Sequence, residues 1–192
     1  MATLNPSADT MLISDGADTN YGTNALVSVG ELRAATSVRR SLIKFDLTSY
    51  LGNSVCEATL RLYDPGDDYT DNARTMNVYR SIRAWTEDGA TWNHYTGTSD
   101  WGTVGSGNST TDYDNNVVGS ITMPNPAAAG YVEITLDPKY INEWLDGTLA
   151  NNGFLLMMAT ETDDGHVFNS NDAASNKPEL VLTFGGGFMA IL

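Results

Sequence analysis

The chain has 192 residues, of which 41% are hydrophobic, enough for one β-domain with a sizeable core. Its formal charge is −14, from 10 basic and 24 acidic residues, which argues against nucleic acid and anionic membrane surfaces as partners because both need an excess of Lys and Arg. The single cysteine, Cys56, excludes an intrachain disulfide, and no apolar run is long enough to span a bilayer.

Residues 1–9 carry neither a basic region nor an apolar stretch, so no secretory signal is expected and the protein is expected to be made in a cytoplasm. From there the dominant period is two. Ile43, Phe45 and Leu47 alternate with Lys44 and Asp46, and Leu180, Leu182 and Phe184 alternate with Val181 and Thr183. One face of such a strand suits a core and the other suits water. Strands are expected over 10–14, 26–30, 39–47, 55–63, 75–83, 117–123, 131–136, 153–159, 166–170 and 179–184, separated by clusters of Gly, Asn, Asp and Pro. Cys56 shares the alternation of Ala58, Leu60 and Leu62 and is expected to be buried. Residues 153–159 are apolar on both faces and read as a central strand. One helix is expected after Asp137, a capping residue, with Pro138 in its first turn, Tyr140, Ile141, Trp144 and Leu145 on one face, and Gly147 at its end. The pattern predicts an all-β fold, an antiparallel two-sheet β-sandwich of jelly-roll type with one short α-helix. Residues 1–184 form the domain. Residues 185–192 form a hinge (Gly185, Gly186, Gly187) and an apolar tail, Phe188, Met189, Ala190, Ile191 and Leu192, expected to dock on its own core or on a neighbour.

The longest irregular stretch, from about 86 to 116, is where binding chemistry is expected. Aromatic plates beside hydrogen-bonding groups suit glycans, and Asn93, His94, Tyr95, Trp101 and Tyr113 are the candidates. Trp101 reads equally as a core residue, whereas Trp85, Trp92 and Trp144 read as structural. Hard oxygen ligands suit calcium, with Glu87, Asp88, Asp112 and Asp114 as the first candidate set and the Asp15, Asp18 and Asn20 turn as the second; simple solvated acids are the plain alternative. No nucleophile elbow, phosphate loop or zinc-protease motif occurs, and the two histidines, His94 and His166, lie in separate segments, so no enzyme is expected.

Four segments resemble the DNRLRE domain family. They are Asp18-Thr-Asn-Tyr-Gly22 with Leu26-Val-Ser-Val-Gly30; Arg40-Ser-Leu-Ile-Lys-Phe-Asp-Leu47 with Ala58-Thr-Leu-Arg-Leu-Tyr63; the tryptophan loop Trp85-Thr-Glu-Asp-Gly-Ala-Thr-Trp-Asn93; and Trp144-Leu-Asp-Gly147 with Asn152-Gly-Phe-Leu-Leu156 and Lys177-Pro-Glu-Leu-Val-Leu-Thr-Phe184. The resemblance implies a non-catalytic β-sandwich module of the kind carried by secreted or cell-surface proteins, among them alginate-associated carbohydrate-binding modules. The apolar tail and the missing export signal point instead to a virion surface subunit, a decoration or tail-accessory protein that self-associates or docks on other structural subunits and binds a polysaccharide. The alternative is a carbohydrate-binding module of an extracellular, polysaccharide-degrading or cell-surface system.

Overall fold

The computed structural model describes residues 1–32, 37–66, 73–123, 128–162 and 164–185. The expected apolar tail, 188–192, and the hinge residues Gly186 and Gly187 lie outside the described residues.

Among the described residues, eleven strands and one α-helix form in chain order: β1 (Ala2–Leu4), β2 (Ala8–Ile13), β3 (Leu26–Glu31), β4 (Val38–Lys44), β5 (Val55–Asp64), β6 (Arg74–Arg80), β7 (Gly119–Met123), β8 (Gly130–Leu136), α1 (Pro138–Leu145), β9 (Phe154–Met158), β10 (Gly165–Asn169) and β11 (Glu179–Phe184). All ten expected strands are present. Strand β1 was not expected; three residues carry too short an alternation to read, and β1 is held by pairing along β11, with Thr3 opposite Val181.

One antiparallel sheet runs β1-β11-β5-β8. The other runs β10-β3-β4-β9-β6-β7, with β2 also paired to β4. The chain crosses repeatedly between the sheets, as in a jelly roll, and the fold is the expected all-β sandwich. Alternation sends Leu60, Leu62, Ile134, Leu136, Leu180 and Leu182 inward from the first sheet. Met11, Ile13, Ile43, Met76, Val78 and Phe154 meet them from the second. Phe45 lies just past β4 yet stays in this core, edge-on to Phe154 at 6.5 Å.

The helix caps one end. Asp137 accepts from the Lys139 N–H at 2.9 Å, and Pro138 starts the first turn with no N–H to satisfy. Ile141, Trp144 and Leu145 face the core. On the same helix Asn142 bonds both the N–H and the carbonyl of Val55, tying α1 to the start of β5.

Cys56 is exposed, contrary to its expected burial. Thr183 pairs with Glu57 but the next residue, Phe184, pairs with Val55, so Cys56 is the extra residue of a β-bulge. The bulge shifts the alternation by one: Val55 and Ala58 point inward, and Cys56 and Glu57 both point outward.

Candidate functional site

The second sheet has two apolar faces, which is why 153–159 carries no polar alternation. The inner face joins the main core. The outer face exposes Leu12, Leu42 and Leu155 to the long 81–118 segment, which folds over them as a second, smaller core with Trp85, Ala90 and Trp101. Trp85 donates from Nε1 to the Asn152 carbonyl at 2.8 Å, and Trp101 donates from Nε1 to the Thr91 carbonyl at 2.9 Å. Trp101 is only 5% exposed, so the structure places it as the anchor of this loop and not as a free sugar plate. Trp92 packs under the Arg40 guanidinium at 5.4 Å, against Gly105, where a Cβ would meet the indole at 2.6 Å. Arg40 fixes the same turn by donating to the Gly105 carbonyl while pairing with Glu161.

Asp112 organises the loop from within. Fully buried, it accepts from the N–H groups of Gly102, Thr103 and Asn108 at 2.8, 3.0 and 3.0 Å, with Arg83 at 3.4 Å. Burial alone would raise its pKa, but these donors outweigh it and hold the carboxyl below the usual range. Asp114 pairs with Arg80 and Asn116 instead, and its pKa is likewise lowered by those bonds against the effect of burial. Asp88 is exposed. The expected metal set of Glu87, Asp88, Asp112 and Asp114 is therefore not brought together: Asp112 and Asp114 already have donors of their own, and Glu87 turns elsewhere. The second expected set also disperses. Asp15 accepts from Ser37, Asp18 accepts from Asn93, and Asn20 donates to the carbonyls of Glu87 and Ala90.

Three of the five expected glycan residues do meet. Asn93, His94 and Trp101 line a surface groove of about 590 Å³ with Asp100, Gly102 and Thr103. A tight turn forms its rim: Tyr95 N–H donates to the Ser99 carbonyl, and His94 bridges to Asp100. His94 Nδ1 lies 2.7 Å from Asp100 Oδ1, and Nε2 lies 3.6 Å from Asp18 Oδ1. The other two expected residues are not among those lining the groove. Tyr95 packs on Trp101 at 5.7 Å beneath Arg83, and Tyr113 packs edge-on against Tyr79 at 5.0 Å, where burial pushes its hydroxyl pKa up. Asp100 and Thr103 were missed because neither is aromatic, although both flank Trp101 in sequence.

A second hollow of about 610 Å³ lies between Arg80, Ile82, Asp114, Trp144, Leu149 and Asn152. The charge of Arg80 there is already shared between Glu143 and Asp114.

Among the described residues, one group of acids converges closely enough for a metal: Asp9, Glu87 and Asp172 offer oxygens within 4.8 Å of one another. Only Glu87 belonged to the expected sets. Asp9 was missed because the expected strand began at residue 10; in the observed register it precedes Met11 and Ile13 on their inward-facing alternation, and an acid on an apolar face is the signal that would have found it.

No curated protein matches the chain. The family model described as carbohydrate-binding module family 96 matches residues 1–184, essentially the whole sandwich, and the chain belongs to that family.

Proposed function

We propose that this chain is a non-catalytic carbohydrate-binding module that holds a neutral polysaccharide in the groove beside His94. Membership of a carbohydrate-binding family across the entire sandwich carries the reading. The groove supports it chemically. The Asn93 amide, the Asp100 carboxylate and the Thr103 hydroxyl can exchange hydrogen bonds with sugar hydroxyls, while the Trp101 edge supplies apolar contact. Asp18 and Asp100 flank His94, and the chain carries −14 overall, so a polyanionic glycan such as alginate is repelled unless a cation bridges it.

Calorimetric titration against neutral and acidic polysaccharides, with and without EDTA, tests this. Binding to a neutral glycan is expected, weakened about tenfold or more by Asp100→Ala or Asn93→Ala with the melting temperature unchanged. Alginate bound more tightly than any neutral glycan would overturn the substrate class. A panel on which nothing binds would leave the virion-surface reading, which rests on the apolar tail.

A further inference from the structure

We propose that Asp9, Glu87 and Asp172 form a calcium site that ties strand β2, the long loop and the β10–β11 turn together. Their offered oxygens all lie within 4.8 Å of one another. Two ligands on opposite sides of one calcium ion stand roughly 4.8 Å apart, since each Ca–O distance is about 2.4 Å. The spacing therefore fits a single shared ion. The donor set is all oxygen, with no His or Cys, which selects a hard cation over zinc or copper. Magnesium demands near-ideal octahedral geometry at ~2.1 Å and gives up its waters reluctantly, so a site built from three protein carboxylates suits calcium better.

A cluster of acids is common on an acidic surface, but Asp9 is not on the surface. It is 1% exposed, and its two oxygens are treated differently. Oδ2 accepts from the Asn171 N–H at 2.6 Å, while Oδ1 is buried without a hydrogen-bond partner among the described residues. A buried carboxylate oxygen with no donor is costly, and a cation beside it removes that cost. Lys177 attracts Asp9 electrostatically, but Glu87 and Asp172 repel it.

Each ligand is also held in place by its own backbone. Glu87 Oε1 accepts from the Asp9 N–H at 2.8 Å, the donor that β2 turns away from β4. Asn20 donates to the Glu87 carbonyl, and Gly22 passes so close that a Cβ there would meet this carbonyl at 2.3 Å. The Asp18–Gly22 segment thus positions Glu87. Asp172 is set by its N–H donating to Ser170 Oγ, which in turn donates to the Asn24 carbonyl. Three separate stretches of chain deliver one carboxylate each to the same point.

The test uses the full chain, stripped of metal with EDTA and then titrated with calcium chloride alone. One ion per chain is expected by calorimetry, with a melting temperature raised by a few degrees in millimolar calcium and less in magnesium. Asp172→Asn, at an exposed position, is expected to stay folded in EDTA and to lose about tenfold or more in calcium affinity. Glu87→Gln should behave alike; should it fail to fold, Asp172→Asn decides. An unchanged melting temperature with no heat of binding would overturn the site. So would calcium binding that Asp172→Asn leaves intact, because the ion would then sit elsewhere.

Discussion

Asp112 Oδ1 accepts the Gly102 N–H at 2.8 Å across ten residues of sequence, and with Thr103 and Asn108 on Oδ2 it ties the long loop together over the sheet. A loop of that length without secondary structure would otherwise be too costly in entropy to stay closed. One buried carboxylate replaces the ladder that a strand would have supplied.

Asp112→Asn is expected to destabilise the domain by about 2–3 kcal/mol, since an amide offers one acceptor oxygen where the carboxylate offers two and leaves buried N–H groups unpaired. Because its pKa is lowered on folding, the stability that Asp112 supplies is present above the unfolded pKa and is lost as pH falls through the folded one. Urea unfolding checks both statements. A variant within about 0.5 kcal/mol of the parent would show that the loop is not held from this residue.

Trp101→Ala and Asp100→Ala should separate stability from binding at adjacent positions. Removing the Trp101 indole leaves a cavity in the second core and is expected to cost about 3–5 kcal/mol. The Asp100 side chain is 78% exposed, and its loss should fall within about 0.5 kcal/mol. Glycan affinity is expected to drop in Asp100→Ala without a change in melting temperature. If Trp101→Ala melts like the parent, the outer face of the second sheet is not covered as described.

The sandwich was legible because most strands carry their own alternation, and a period of two needs no knowledge of partners. Phe45, Leu60 and Leu182 are buried as that pattern requires, and Trp144 as the apolar face of α1 requires. The groove was half legible: Asn93, His94 and Trp101 follow from residue type and loop length, but which way Tyr95 and Tyr113 turn depends on Arg83 and Tyr79, remote in the pattern. The acid cluster was not legible. Residues 9, 87 and 172 meet only through tertiary folding, and no local spacing connects them.

Cys56 shows the same limit within a single strand, since a bulge leaves no mark in the alternation of β5 alone. Its thiol is exposed and donates to the Thr183 carbonyl at 3.3 Å. A thiol reagent is expected to modify native protein at nearly the rate of unfolded protein. Cys56→Ala should change stability by less than about 0.5 kcal/mol. Labelling that requires denaturant would restore the buried reading and remove the bulge.

Asp9 gives the chain an unusual pH dependence in the absence of divalent cations. Burial raises its pKa from the ordinary 3.8 to about 7, aided by repulsion from Glu87 and Asp172 and opposed by the Asn171 N–H and by Lys177. The native state therefore keeps a proton that the unfolded chain releases, and stability falls as pH rises from the unfolded pKa to about 7. At ~1.4 kcal/mol per unit the loss is on the order of a few kcal/mol. Other carboxylates titrate in the same range, so the informative quantity is the difference between the parent and Asp9→Asn. In EDTA the variant should gain on the parent as pH rises from about 5 to about 8, because its amide has no charge to bury. Millimolar calcium should close that gap by stabilising the parent alone. Unfolding curves that stay parallel across this range, with and without calcium, would mean that Asp9 carries no burdensome charge and that the cation has nothing to relieve.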